Sequence, residues 1–240
     1  MTPKDVNDTE EVHDTWVVIP LYNEEQVIGD VVTQVRTAFA QVVCVDDGSA
    51  DRSAEVAATA GARVVRHPFN LGQGAALQTG FEFALADPSM KYVLTFDGDG
   101  QHQIADAVGM VARLRGGEAD VVFGSRFLDE RSKPGFAKRM VLRAAVGYTN
   151  MTTHTRLTDA HNGLRVFSRR FASQVNLSMS DMAYASELLR LIAGSGLKYA
   201  EHPVTIDYTE YSMNKGQRSI NSVNIAMDIW MNQMFRGRRR

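Results

Sequence analysis

Short apolar runs alternate with helical patterns along the first half of this 240-residue chain, and this alternation restricts its fold most strongly. The apolar runs that predict strands lie at residues 16–20, 42–45, 64–65, 92–96 and 121–123. Between most of them, apolar side chains recur at steps of three and four, which is typical of amphipathic helices. Strands that alternate with helices indicate βαβ units. The sequence therefore predicts an α/β fold with a mainly parallel sheet.

Polar clusters follow four of the predicted strands directly. These clusters are Pro20 to Glu24, Asp46 to Ser49, Asp97 to His102 and Gly124 to Arg126. In a parallel sheet the carboxyl ends of the strands lie at one edge, where ligands bind. We therefore expect the four clusters to meet in one site.

The most distinctive cluster is Asp97-Gly-Asp99-Gly-Gln101, which follows a buried strand. Two carboxylates placed so close together are costly to bury unless a cation lies between them. Mg²⁺ and Mn²⁺ prefer oxygen ligands, and Gln101 adds another oxygen. The alternative is a solvated Asp-Gly turn without a ligand.

Four motifs in chain order carry a resemblance to a known family. They read Val-Val-Ile-Pro-Leu-Tyr-Asn-Glu-Glu, Val-Asp-Asp-Gly-Ser-Ala-Asp, Asn-Leu-Gly-Gln-Gly and Asp-Gly-Asp-Gly-Gln-His. Together they resemble the family 2 glycosyltransferases, and within them the polyprenol-phosphate mannosyl- and glucosyltransferases (the dolichol-phosphate mannose synthase group). The resemblance covers residues 16–127 well and continues more loosely through Asp159 to Arg165.

This resemblance implies a Rossmann-like domain of the glycosyltransferase A type, with a mixed, mainly parallel sheet and a C-terminal helix. It implies a GDP- or UDP-linked sugar as donor, with Asp47 reading the edge of the base. Asp97, Asp99 and Gln101 would hold Mg²⁺ or Mn²⁺ on the diphosphate. The other implied donor-binding residues are Pro20, Tyr22, Glu24, Asn70, Gly72, Gly74 and Arg218. A plain turn remains the alternative for the Asn70 to Gly74 loop.

The acceptor that the resemblance implies is a polyprenyl phosphate. The expected phosphate-binding residues are Arg126, Arg139 and Arg165, because guanidinium groups donate in pairs to phosphate oxygens. A phosphate acceptor is already an anion and needs little help from a base. A hydroxyl acceptor would need one, and Asp159 is the candidate for that role.

The expected domain organisation has three parts. Residues 1–15 predict a disordered acidic leader, since they contain five carboxylates and only one lysine. Residues 16–219 predict one domain, with a nucleotide-sugar half at 16–127 and an acceptor half at 128–219. Residues 128–135 suit a mobile lid, because they are rich in charge. Residues 220–240 predict an amphipathic helix with a basic tail.

Three features bear on compartment and partners. The single cysteine, Cys44, lies in an apolar run and predicts a small buried side chain. No apolar stretch approaches the roughly 20 residues that span a bilayer, so we expect a cytoplasmic protein, peripheral at the membrane face. The terminal helix suits the surface of an anionic membrane, the core or a second copy of the chain. A small membrane partner protein is a separate expectation, because the chain lacks membrane spans of its own. The sequence pI of about 6.3 argues against nucleic acid as a partner.

The preferred function is a single, metal-dependent transfer of a sugar to polyprenyl phosphate, and the family resemblance implies inversion at the anomeric carbon. One alternative keeps the fold but transfers to a saccharide or small-molecule hydroxyl, with Asp159 as base. A second alternative is a non-catalytic scaffold that binds nucleotide sugars. An NAD-dependent oxidoreductase is disfavoured, because the glycine frame from Gly72 lacks its third glycine.

Overall fold

The computed structural model describes residues 12–129, 146–147, 149–153, 155–160, 162–177 and 183–207. The strands are β1 (Val12–Leu21), β2 (Phe39–Asp46), β3 (Arg63–Arg66), β4 (Tyr92–Thr95), β5 (Val121–Ser125), β6 (Arg165–Ser168) and β7 (Tyr199–Pro203). The helices are α1 (Ile28–Arg36), α2 (Ser53–Thr59), α3 (Gln73–Leu85), α4 (Ile104–Arg115), α5 (Arg169–Ala172) and α6 (Ala183–Ser195). Residues 146–147 and 149–153 are also helical.

The strands of the described residues form one sheet in the order β3-β2-β1-β4-β6-β5-β7. β6 runs antiparallel to both of its neighbours, β4 and β5, while the other described pairings are parallel. The mixed, mainly parallel α/β sheet expected from the sequence is therefore confirmed. Because β6 runs in reverse, its first residue lies at the edge where the parallel strands end.

Helix α3 packs unusually closely on the central strand β1. Trp16 and Val18 of β1 share a buried cluster with Leu77 and Phe81 of α3. A Cβ at Gly80 would lie 2.2 Å from a methyl group of Val18, so only glycine allows this distance between helix and strand. This packing determines where the start of α3, with its two glycines, lies relative to the ends of the strands.

One local prediction at the start of the chain was wrong in detail. β1 begins at Val12, so residues 12–15 belong to the sheet and not to the predicted leader, whose first eleven residues lie outside the described ones. Helix α1 begins at Ile28 without a side-chain cap. In the turn before it, Asn23 adopts the left-handed conformation, with φ of 54°.

Later in the chain, residues 204–207 lie outside the strands of the sheet. The edge strand is β7, whose residues pair with β5, and Ile206 makes only an isolated bridge to His102. The half-buried residues of β7 show no apolar alternation that could have identified it. Most of the expected lid at 128–135 and all of the helix at 220–240 lie outside the described residues.

Two further expectations concern buried groups and membranes. Cys44 is buried, as predicted, and burial followed by the charge of Asp46 raises the pKa of its thiol to about 12. None of the helices in the described part of the chain combines the length and hydropathy that a bilayer crossing requires.

Candidate active site

The polar clusters that follow the parallel strands lie at one edge of the sheet. Leu21 at the end of β1 pairs with Asp46 at the end of β2, and Val18 pairs with Thr95 of β4. β5 runs in the same direction and ends at Ser125. The structure therefore brings the four predicted clusters to a common edge.

The turn after β1 is joined to the loop after β2. Asn23 donates its N–H to the Ser49 hydroxyl over 2.9 Å, and its side-chain oxygen accepts from the Ala50 N–H over 2.9 Å. Glu24 is buried, and its N–H donates to the Ser53 hydroxyl. Of the predicted nucleoside residues, Pro20 is half-buried in β1 and Tyr22 is exposed to 44%.

Asp47 has a different contact from the one that the resemblance implies. Its Oδ1 accepts from the Leu71 N–H over 2.9 Å and lies 2.7 Å from Nδ1 of His67, while its Oδ2 accepts from the Gly72 N–H over 2.8 Å. Only 3% of Asp47 is exposed. The expectation that Asp47 reads the base is therefore corrected: its carboxylate holds the loop of residues 67–72.

The same loop contains the predicted donor residues Asn70, Gly72 and Gly74. The Asn70 side chain accepts from the Gly72 N–H over 3.1 Å, and Gly72 has a φ of 93°, which favours glycine. Gly74 is buried in the first turn of α3. Part of this segment is thus a tight turn, as the alternative interpretation expected.

A cleft of about 410 Å³ opens beside this loop. Its lining residues are Gly48, Ser49, Arg66, His67 and Pro68. The Arg66 guanidinium lies 3.0 Å from the buried Asp46 carboxylate and donates to the Ser49 carbonyl over 2.9 Å. The cleft therefore lies beyond the ends of β2 and β3, and none of the predicted nucleoside residues Pro20, Tyr22, Glu24 and Asp47 lines it.

Asp97 is held by a buried histidine. Its Oδ2 lies 2.9 Å from Nε2 of His102, and the His102 Nδ1 has no hydrogen-bond partner within the described residues. Burial would raise the pKa of Asp97, but the hydrogen bond and charge of His102, together with the charges of Arg165 and Arg126, lower it overall. Asp97 is therefore stabilised as a carboxylate.

The pKa of Asp99 is shifted in the opposite direction from that of Asp97. Burial, followed by the negative charge of Asp97, raises its pKa to about 6. The Gln101 N–H donates to Asp99 Oδ1 over 3.2 Å, so the three predicted metal ligands share one turn. A carboxylate pair with this mutual repulsion fits a hard divalent cation, which would relieve it.

Ligands other than side chains would have to complete such a site. No group of three or more His, Cys, Asp or Glu side chains suited to a metal ion occurs among the described residues. Two carboxylates and an amide leave coordination positions for water and for the phosphates of a substrate, as is usual for Mg²⁺. The residues present therefore fit a cation that is bound together with its nucleotide.

Arg126 and Asp159 form a buried ion pair at the end of β5. Arg126 Nε lies 2.6 Å from Asp159 Oδ2, and its NH2 nitrogen lies 2.8 Å from Oδ1, in the bidentate arrangement. The Asp159 side chain is fully buried and that of Arg126 is 13% exposed. The hypothesis that Asp159 is a catalytic base is therefore corrected, because its carboxylate is enclosed and paired with a cation.

Arg165 is likewise not placed to receive an acceptor. It is 2% exposed and donates to the carbonyls of Asn162 and Ala160 over 2.9 and 3.2 Å. Its prediction as a phosphate ligand was wrong, because β6 carries it into the interior. Arg139 and Arg218 lie outside the described residues.

The sequence analysis assigned no role to three residues that shape this edge: His67, His102 and Gly163. A Cβ at Gly163 would lie 2.1 Å from Asp97 Oδ2, so the backbone approaches the carboxylate as only glycine permits. The Thr95 hydroxyl donates to the Gly163 carbonyl over 2.7 Å. Gly163 is distant in sequence from Asp97, and no local pattern joins the two.

Comparisons with known proteins show which family and which proteins the chain is similar to. A family model described as glycosyl transferase family 2 matches residues 16–175. Uncharacterized protein MJ1222 of Methanocaldococcus jannaschii is 34% identical over 229 residues, covering 92% of each chain. The UDP-N-acetylglucosamine–dolichyl-phosphate N-acetylglucosaminyltransferase of Methanococcus voltae is 27% identical, covering 91% of this chain and 96% of that protein.

A solved structure is similar in fold. Glucosyl-3-phosphoglycerate synthase from Mycobacterium tuberculosis, in complex with Mn²⁺ and UDP-glucose, superposes with a TM-score of 0.59. The identity is 21%, over 84% of this chain and 73% of that one. At this identity the likeness establishes the fold, and it confirms the predicted glycosyltransferase A type.

Proposed function

This chain belongs to glycosyl transferase family 2, and we propose that it transfers a sugar from a nucleoside diphosphate to a polyprenyl phosphate, with inversion at the anomeric carbon. Membership of this family makes it a nucleotide-sugar-dependent glycosyltransferase. This argues against both alternatives of another class, the non-catalytic scaffold and the NAD-dependent oxidoreductase. The observation that carries the proposal is the pair of carboxylates, Asp97 and Asp99, that directly follows β4 at the edge where the parallel strands end.

The donor would bind between the cleft at residues 48–68 and the carboxylate pair. Asp97, Asp99 and Gln101 would hold a divalent cation, Mg²⁺ or Mn²⁺. When bound, such a cation neutralises the negative charge that develops on the departing nucleoside diphosphate. His102 keeps Asp97 ionised, and Asp47 holds the loop that borders the cleft. Pro20, Tyr22 and Glu24 remain predictions for the nucleoside.

The acceptor would approach from the side of Arg126. A phosphate monoester is an anion near neutral pH, so its oxygen can attack the anomeric carbon without losing a proton to a protein base. This requirement agrees with the enclosed, paired state of Asp159, which leaves the hydroxyl alternative without its proposed base. The name of the Methanococcus voltae relative, with dolichyl phosphate as acceptor, supports the same acceptor class here.

Arg139 and Arg218 stay predictions for the acceptor and donor phosphates, respectively. The cytoplasmic location, the contact with a membrane, the small membrane partner protein and a homo-oligomer through residues 220–240 also stay predictions.

A transfer assay tests the proposal. Purified protein is incubated with radiolabelled UDP-N-acetylglucosamine, UDP-glucose or GDP-mannose, with Mn²⁺, and with either a polyprenyl phosphate or the matching polyprenol. We expect a labelled lipid from one donor, only with the phosphate and only with the metal ion. Asp99→Asn should abolish the product, whereas Asp30→Asn at an exposed position should not. Equal transfer to the polyprenol would refute the proposed acceptor.

A further inference from the structure

A hydrogen-bond network connects the edge strand β7 to Arg126, and it begins at the half-buried Glu201. One carboxylate oxygen of Glu201, Oε1, accepts three hydrogen bonds. The donors are the Thr158 N–H and the Thr158 hydroxyl, each over 2.8 Å, and the Asp159 N–H over 3.1 Å. Glu201 belongs to none of the motifs and contacts none of the predicted ligands of the cation.

The carboxylate of Glu201 is kept in this place at a cost. Burial raises its pKa, and the nearby charge of Asp159 adds to this effect, while hydrogen bonds from Thr158 and Asp159 oppose it. A half-buried carboxylate beside a second carboxylate is unfavourable unless donors compensate it. The pKa of Glu201 stays raised overall, so the three donors on one oxygen supply part of that compensation, and the position of segment 158–159 is tied to this side chain.

The same two residues contact the end of β5. The Thr158 and Ser125 hydroxyls lie 2.6 Å apart, and since Thr158 donates to Glu201, Ser125 donates to Thr158. The Asp159 carboxylate accepts from the Arg126 side chain in bidentate fashion and from its backbone N–H over 3.2 Å. Asp159 therefore links Glu201 to the guanidinium of Arg126, because it contacts both.

We propose that Glu201 is a positioning residue, which orients the Arg126 guanidinium toward the acceptor phosphate through Thr158 and Asp159. The part that concerns the phosphate rests on the proposed function. The part that concerns the orientation of Arg126 rests on the contacts alone. A single oxygen of Glu201 accepts all three hydrogen bonds. The reach of that oxygen, which is set by the length of the side chain, should therefore matter more than the charge of the side chain.

Two conservative variants separate reach from charge. Glu201→Gln keeps an oxygen at the same reach and removes the charge, whereas Glu201→Asp keeps the charge and shortens the side chain by one methylene. We expect Glu201→Asp to raise the KM for polyprenyl phosphate about tenfold, which corresponds to loss of about one charged hydrogen bond. Glu201→Gln should stay within about threefold of the wild type. Both should leave the KM for the nucleotide sugar within about twofold.

Glu55→Asp, at an exposed position on α2, is the matched control and should change neither constant. An equal rise of both KM values in Glu201→Asp would indicate general damage to the fold and would overturn the proposal. A defect in Glu201→Gln as large as that in Glu201→Asp would also overturn it, because charge would then matter more than reach.

Hydrogen–deuterium exchange separates failure of this proposal from failure of the proposed function. Peptides that cover residues 155–160 should exchange faster in Glu201→Asp and as slowly as wild type in Glu201→Gln. That pattern would uphold the positioning of the segment even if polyprenyl phosphate proved not to be the acceptor. Unchanged exchange in Glu201→Asp would refute the positioning, whatever the acceptor.

Discussion

Replacing Asp99 with asparagine should make the metal-free protein more stable while it removes the response to metal and nucleotide. Asp99 is forced to ionise beside Asp97, and burial together with this charge raises its pKa from the usual 3.8 to about 6. An asparagine has a similar shape without the charge. Its side-chain oxygen can still accept the hydrogen bond from the Gln101 N–H.

The magnitude follows from the two pKa values of Asp99. A difference of about 2 pKa units corresponds to about 3 kcal/mol, because each unit is worth about 1.4 kcal/mol. Water screens part of this cost, since Asp99 remains partly exposed, so we expect Asp99→Asn to gain about 2 kcal/mol above about pH 7. For a chain of this size, that gain raises the Tm by about 4–8 °C.

The sign of the pH dependence is fixed by the raised pKa. The folded protein holds the Asp99 proton more tightly than the unfolded chain does, so ionisation costs stability. This cost is absent below about pH 4, grows between about pH 4 and 6, and is complete above that range. The advantage of Asp99→Asn should therefore shrink as the pH falls.

Urea unfolding of both proteins without metal, at about pH 7.5 and about pH 4.5, measures this difference. Asp51→Asn is a control of opposite sign. Although its burial acts to raise the pKa, hydrogen bonds from Ser53 and Glu25 lower the pKa of Asp51 overall, so this replacement should not stabilise. With Mn²⁺ and a nucleoside diphosphate, wild type should gain stability and Asp99→Asn should not. A metal-free Asp99→Asn protein less stable than wild type at both pH values would refute the reasoning.

Three further predictions concern other parts of the site. Gly163→Ala would place a Cβ 2.1 Å from a carboxylate oxygen of Asp97, in the proposed cation site. Calorimetry should therefore show metal-dependent nucleotide binding that is at least about tenfold weaker than in the wild type. The control Gly194→Ala, whose Cβ would meet open space, should bind as the wild type does. Asp159→Asn should cost about 3 kcal/mol in urea unfolding, because it removes the negative charge that pairs with the buried guanidinium of Arg126. Lost activity at unchanged stability would instead restore its role as a base. His67→Ala removes one partner of Asp47, so the same calorimetry should show nucleotide binding about threefold to tenfold weaker. Binding equal to that of the wild type would contradict the role of this pair in holding the loop of residues 67–72.

The succession of strands and helices along the chain could be predicted from the sequence, because it depends on local patterns. The alternation of short apolar runs and amphipathic helices indicated a mainly parallel sheet, and parallel strands necessarily end at one edge. That geometry alone placed the polar residues after β1, β2, β4 and β5 near one another. The turn from Asp97 to Gln101 could likewise be identified, since its residues are adjacent and their chemistry is specific.

The partners of the charged side chains were decided only by the tertiary structure. Strand β6 inserts between β4 and β5 in the reverse direction, and no pattern in its apolar residues shows this placement. The reversal brings the segment before Arg165 to the edge where the other strands end. As a result, Asp159 meets Arg126, Gly163 meets Asp97, and Arg165 itself is buried.

Asp47 gives the same lesson on the donor side. Its position after β2 follows from the sequence, but its partners come from a loop that the third strand and α3 hold in place. Residue type and strand order determine which groups reach the edge of the sheet. Whether a carboxylate there meets a cation, an arginine or a backbone N–H depends on chain segments far apart in sequence, which only the folded packing brings together.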